Sequence, residues 1–405
     1  MAETLGRARR TRGPVTFPDR LQVPPEVLRI AGRLEQAGYE TWCVGGAIRD
    51  ALLRLENQDF DLTTAAPPDE VRRLFKRTVP VGVEHGTVAV LDKDGRPHEV
   101  TTFRKDIVTD GRHAVVQFGV SLMDDLARRD FTINAIAYHP TRHEWRDPFA
   151  GAADLEHKLI RAVGDPNWRF QEDYLRILRA LRFSARFEFR IHRTTLEAAK
   201  ANVSGLAQLS AERVRDEWFK GIKTAKRVSK LLALWLDVGA ARIWLPEIRS
   251  PGGSSSTAAA VDALPRDPVL VTAYLASDPA SLLTRLRCSN REIERGRAIA
   301  RWREQFPDPT HLPAVRRWLS DVGEIAADLL LLPPARARAP LRKVVEAIRA
   351  AEDPLTLADL AVSGDDLIAA GVRPGPDVGE TLARLLGEVL EDPQRNTKAY
   401  LLSRV

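Results

Sequence analysis

The chain has 405 residues, of which 44% are apolar, so it can bury a sizeable core but exceeds the size at which one compact unit usually stops growing. Its 61 Lys and Arg against 55 Asp and Glu give a net charge of +6, which favours a polyanionic partner mildly and excludes an acidic, solvating chain. Two widely separated cysteines, Cys43 and Cys288, exclude a disulfide scaffold or zinc knuckle and point to a reducing cytoplasm, and no window approaches the roughly 18 apolar residues of a membrane span.

In chain order, residues 1–22 read as a basic arm, Arg-rich but without the apolar stretch of a secretory signal. From Val23 to about 150, helical and β-prone runs alternate. PPEVLRIAGRLEQAG is helical, TWCVGG a strand, AIRDALLRL a helix, and DFDLTT, GTVAVLD and HEVTTFR are strands of a small α/β domain. Beyond DPFAGAADLEHKLI the strand signals fade, and amphipathic helices continue to Val405. The Ser-, Gly-, Ala- and Pro-rich stretch 249–268 reads as a loop or a boundary, and LLPPARARAP (331–340) as another break. Near the end, Ser363 is a helix N-cap, Gly371 a stop, and a second helix opens near Asp377.

Several segments carry chemistry. In Asp59-Phe60-Asp61 the strand period puts both carboxylates on one face, with Cα atoms roughly 7 Å apart, and Phe60 in the core. Such a pair can hold hard divalent cations, and two metals about 3.5–4 Å apart can flank a phosphoryl centre. Alone, it reads equally as a solvated strand edge. Gly45 and Gly46 lie where a strand gives way to a helix, so backbone can approach a phosphate, and Arg49 adds a cation one turn on. The plainer alternative is a turn that needs glycine, with Arg49 paired to Asp50.

Glu99 would be a third carboxylate if its strand lies beside that of Asp61. His85, in a turn next to Gly86, reads as structural rather than as a base. In LARRDFTINAIAY, Arg129 would neutralise a triphosphate and Asp130 would cap a helix-like stretch containing Asn134, or orient that arginine. An ordinary capping box explains the same residues. The helical run EDYLRILRALRF places Asp173, Arg176, Arg179 and Arg182 three apart, so they spiral round the helix over roughly 13 Å, the length of an extended nucleotide. Ion pairs along a core-packing helix would also account for them.

Together, VGGAIRDALL, QDFDLTT, EHGTV, EVTTFR, RRDFTINAIAY and EDYLRILRALRF, in this order, resemble the class II tRNA CCA-adding enzymes and their bacterial poly(A) polymerase relatives, of the DNA polymerase β-like nucleotidyltransferase superfamily. The match covers residues 23 to about 215, and SGDDLIAAGVRPGPDVGETL resembles the family's tail. The resemblance implies a polymerase β-like α/β head (23–150) followed by a helical neck (151–215), body (216–330) and tail (331–405). It also implies addition of C, C and A to the 3′ end of tRNA from CTP and ATP. Asp59 and Asp61 would bind Mg²⁺, and Gly46, Arg49 and Arg129 the triphosphate. Asp173 and Arg176 would read the base edge, with Arg179 and Arg182 in support. Residues 104–119 correspond to the family's flexible loop, where Asp110-Gly111-Arg112 is followed by His113-Ala114-Val115 rather than by the acidic residue many members carry. No His-Asp pair of the phosphohydrolase type occurs, and neither a membrane nor a protein partner is implied. The alternatives left open are partial addition, poly(A) synthesis and a catalytically silent RNA-binding protein.

Overall fold

The computed structural model describes residues 17–56, 59–81, 86–109, 114–248 and 255–405. His85 and the Asp110–His113 part of the loop lie outside them, as does the basic arm up to residue 16. The chain divides into two compact units, Met1–Trp244 and Leu245–Val405.

In the first unit, α1 (Pro25–Gln36) buries Val27, Ile30, Ala31 and Leu34, the i, i+3, i+4, i+7 stripe that makes its sequence helical. It precedes β1 (Thr41–Val44), α2 (Gly46–Leu52), β2 (Asp61–Thr64), α3 (Pro68–Leu74), β3 (Thr78–Pro80), β4 (Thr87–Leu91) and β5 (Pro97–Thr102). A hairpin, β6 (Arg104–Thr109) and β7 (Ala114–Phe118), leads into α4 (Leu122–Ala127), β8 (Ala137–Tyr138) and β9 (Trp145–Arg146). Seven strands form one sheet in the order β3-β4-β5-β2-β1-β8-β9, all neighbours antiparallel except β2 and β5. The interior strand β1 is buried along its whole length, and Trp42 and Val44 pack with Phe103, Leu126, Ala135, Ala137 and Val163. A small α/β head is what the alternating runs predicted.

The helical part begins with α5 (Gly151–Glu156), α6 (Pro166–Glu172), α7 (Leu175–Phe187), α8 (Arg193–Ala201), α9 (Ala211–Thr224) and α10 (Val228–Val238). Two-residue strands β10 (Leu159–Ile160) and β11 (Arg190–Ile191) pair in parallel beside them, a detail too short for periodicity to reveal.

Three expectations need correction. The strand β2 starts at Asp61, so Asp59 precedes it, although Phe60 is buried as expected. After Asp130 there is a single 3-10 turn, Thr132–Asn134, and then β8, because the following AIAY run is drawn into the sheet against β1. The Ser- and Ala-rich stretch is not all loop: Ser255–Ala263 is helical, as its alanines favour, and Val261 and Leu264 are buried. Near the end of the second unit, Ser363 caps Gly364–Ala369 through a box with Asp366. Gly371 has φ +103°, and Pro376–Glu391 forms the next helix around a core of Leu367, Leu385, Val389 and Leu401.

Candidate active site

The turn between β1 and α2 requires glycine. Gly45 has φ +78°, a left-handed conformation, and a Cβ there would lie 3.4 Å from Arg129 Nη1 and 3.6 Å from Asp61 Oδ2. The cation and the carboxylate therefore both close on the point where a side chain at this turn would sit. Antiparallel pairing sets Val44 against Asp61, and parallel pairing of Leu62 with Val100 brings Glu99 alongside Asp61. Burial pushes the Asp61 carboxyl up to about 6, Glu99 and Asp59 push the same way, and Arg129 opposes them.

Gly45, Asp59, Asp61 and Arg129 line a cavity of about 760 Å³ with Gly46, Arg49, Asp50, Glu56, Arg128, Asp130 and Asn134 from the head and Asp173, Leu175, Arg176, Arg179, Arg182, Phe183, Arg186 and Arg213 from the segment that follows. Such a wall of charge suits a ligand that is itself highly charged.

Its members are held by one another. Arg49 is buried; it donates to Asp50 Oδ1 at 2.8 Å and to Asn134 Oδ1 at 2.6 Å, and lies over the rings of Phe183 and Phe187. Asp50 also takes Arg186 at 3.0 Å. Asp130 accepts from the Phe131 N–H, from Asn134 at 2.9 Å and from Arg179 Nε at 2.8 Å. Burial alone would raise this carboxyl, but Arg179 and Asn134 outweigh it and hold it near 2. Arg176 reaches Glu172, the Arg169 carbonyl at 3.0 Å and the Arg128 carbonyl at 3.1 Å. Asp173 accepts from the Leu175 N–H at 3.0 Å and from Arg213 at 2.8 Å. Arg129 donates to Asp125 at 3.0 Å, while its Nε is buried and has no hydrogen-bond partner.

A family model described as the poly A polymerase head domain matches residues 41–161. Models for a probable RNA- and SrmB-binding site of polymerase A and for a putative second domain of tRNA nucleotidyltransferases match 188–250 and 343–405. The CCA-adding enzyme of Levilactobacillus brevis is 35% identical, over 96% of this chain and 98% of that protein, and that of Pediococcus pentosaceus 33%, over 92% and 95%. The chain belongs to the CCA-adding enzymes. The crystal structure of the Bacillus stearothermophilus CCA-adding enzyme in complex with CTP matches with a TM-score of 0.78 at 32% identity, covering 94% of this chain and 98% of that one. A Thermotoga maritima CCA-adding enzyme complexed with tRNA, at 21% identity and a TM-score of 0.66, shares the fold.

Within this CCA-adding enzyme, all the residues singled out from the sequence except Glu99 line the cavity, and Glu99 stands next to Asp61 in the sheet register. Their arrangement departs from expectation in three ways. Asp130 orients Arg179 and Asn134, whereas Arg129 is held by Asp125, because the chain turns sharply after α4. Asp173 lies outside the helix: α6 ends at Glu172, Asp173 is extended with φ −157°, and only Arg176, Arg179 and Arg182 ride on α7, spanning about 9 Å. Both members of the Arg49–Asp50 pair are buried in the wall, so the plainer reading of that dipeptide also holds. Sequence reasoning missed Asp125, Arg186, Arg213 and Glu217. Arg186 follows Arg182 by four residues, about one further turn of the same helix, a usable signal; nothing local marks Arg213 or Glu217.

Proposed function

We propose that this CCA-adding enzyme completes the tRNA 3′ end by adding C, C and A from CTP and ATP through this cavity. The terminal ribose hydroxyl attacks the α-phosphorus in line. The new ester bond forms as the bond to the bridging oxygen breaks, and pyrophosphate departs. The observation that carries this reading is the closure of Arg129 and Asp61 on Gly45, which sets a cation and a cluster of carboxylates around one strand-to-helix turn.

Arg129, whose buried Nε lacks a partner, and the backbone at Gly45 and Gly46 would bind the triphosphate. Arg49 and Asn134 brace that wall. Asp59 and Asp61, with Glu99 beside them, would hold Mg²⁺. Among the described residues no three His, Cys, Asp or Glu side chains form a ready metal cage, and Mg²⁺ commonly takes one or two carboxylates with substrate phosphates. The carboxylates fit it: all are hard oxygen donors, and burial together with repulsion from Glu99 and Asp59 raises Asp61 toward protonation, a penalty a cation would relieve. When bound, the cation would supply charge neutralisation at the phosphates.

Asp173 and Arg176 would read the base. Arginine only donates and ionised aspartate only accepts, matching the amino donor and ring-nitrogen acceptor of cytosine and adenine, whereas uracil and guanine present a ring N–H and a carbonyl. Arg213 bonds Asp173 and Glu172 bonds Arg176, so the reading groups are oriented before the base arrives.

The test uses purified protein, Mg²⁺ and tRNAs ending before CCA, at C and at CC, with each nucleotide supplied separately. Stepwise addition of two C residues and then A is expected. A product stopping at CC, A addition to the CC-ended tRNA alone, or a run of A would replace full CCA addition by the corresponding partial or poly(A) activity.

A further inference from the structure

Asp125 is fully buried on α4, yet it touches no surface of the cavity. Its two carboxylate oxygens are shared among three donors. Oδ1 takes Arg128 Nε at 3.1 Å, while Oδ2 takes Arg129 Nη2 at 3.0 Å and the Thr63 hydroxyl at 3.3 Å. Thr63 lies two residues beyond Asp61 on β2, so the strand period directs their side chains to the same face. One carboxylate therefore ties the strand that carries Asp61 to the arginine that meets Asp61 at Gly45.

A carboxylate with no exposed surface is a costly thing to keep ionised, and burial works against it. The two arginines outweigh burial and hold it below its ordinary range. A helix at this position could be anchored by any apolar residue. A buried charge bonded to two arginines and a strand hydroxyl instead fixes angles, and Arg129 in particular is left with one end clamped and Nε without a partner.

We propose that Asp125 is a positioning residue for nucleotide transfer, holding the Arg129 guanidinium in register with Asp61 so that triphosphate and carboxylates meet at one place. This rests on the assignment of Arg129 to the triphosphate. Asp125 touches neither substrate nor reacting atoms; it acts through Arg129, with Thr63 keeping the strand in step.

A double-mutant cycle tests it. kcat and KM for CTP and ATP are measured for the parent enzyme, Asp125→Asn, Arg129→Ala and the double variant, with CTP binding measured in parallel by calorimetric titration. Asp125→Asn should lower kcat/KM about tenfold in the parent, mostly in kcat, and change it less than about twofold where Arg129 is already alanine. Equal losses in both backgrounds, or no loss in the parent, would overturn the proposal. An Arg129→Ala enzyme with unchanged kcat/KM would remove the triphosphate assignment itself, a distinct outcome. Should Asp125→Asn not fold, Thr63→Val repeats the cycle with both charges in place: a loss of about threefold in kcat that vanishes beside Arg129→Ala supports the proposal, and the same loss in both backgrounds overturns it.

Discussion

At Asp61 the sheet forces a conflict that function can exploit. Its carboxyl is raised from 3.8 to about 6 by burial and by Glu99 and Asp59. Because the folded value lies above the unfolded one, the stability this group contributes is fully present below about pH 4 and is lost as pH rises through about 6. At pH 7.5 without metal, Asp61→Asn should therefore be more stable than the parent by roughly 1–2 kcal/mol, and the difference should disappear near pH 4. Adding Mg²⁺ should raise the melting temperature of the parent more than that of the variant, which keeps Asp59 and Glu99 but loses the carboxylate between them and the glycine turn. Transfer should be abolished in Asp61→Asn while tRNA binding persists. In the parent the acid limb of the rate profile should fall near pH 6 at low Mg²⁺ and move to lower pH as Mg²⁺ is raised. Melting curves and initial rates check both, and a variant that is destabilised at pH 7.5 or still turns over would refute the assignment.

Helix α7 shows how one spacing can serve different ends. Arg176 meets Glu172 and two carbonyls, Arg179 meets Asp130, Arg182 meets Glu217 at 2.6 Å, and Arg186 meets Asp50. The three-residue period was legible, and of the apolar residues expected in the core Ile177, Leu178 and Leu181 are buried, whereas Leu175 is half-buried and lines the cavity. The division of labour was not, because Glu217 and Asp50 reach the helix only through tertiary packing. Nor was the break before Tyr174, since EDYLRILRALRF has no Gly or Pro to announce it; the extended backbone at Asp173 is a tertiary outcome. The Arg182–Glu217 pair is buried on both sides, so Arg182→Ala strands a carboxylate and should cost about 3 kcal/mol, with nucleotide selectivity unchanged. Arg176→Ala, which frees Glu172 and two carbonyls in a part-buried site, should cost about 1–2 kcal/mol, and unlike Arg182→Ala it should weaken discrimination of CTP and ATP against UTP and GTP. Chemical denaturation and single-nucleotide incorporation separate the two; a selectivity change in Arg182→Ala would give Arg182 a part in base reading beyond its pair with Glu217.

At the scale of the whole molecule, the α/β head was legible because period-two and period-3.6 runs alternate and the glycine turn and carboxylates sit at its strand ends. The unit boundary was not. It falls between Trp244 and Leu245, inside the 216–330 stretch expected as one body and a few residues before the 249–268 break, and Pro246 beside it is one of many prolines in the helical part and does not single it out. That boundary makes a prediction. Every residue lining the cavity lies at or before Arg213, and the first unit has its own sheet and helical core, whereas the tRNA nucleotidyltransferase domain model matches 343–405 in the second. A chain ending at Trp244 should fold and bind CTP with Mg²⁺ within about threefold of the full chain, because the cavity walls and their ion pairs are complete in it. Its affinity for tRNA should drop at least about tenfold, with a shallower dependence on salt, since phosphate contacts from the missing helices no longer release counterions. Calorimetric CTP titration and tRNA binding across a salt series measure both. Loss of CTP binding in a folded truncation would mean that the second unit completes the nucleotide site, and undiminished tRNA affinity would place RNA recognition within the first 244 residues.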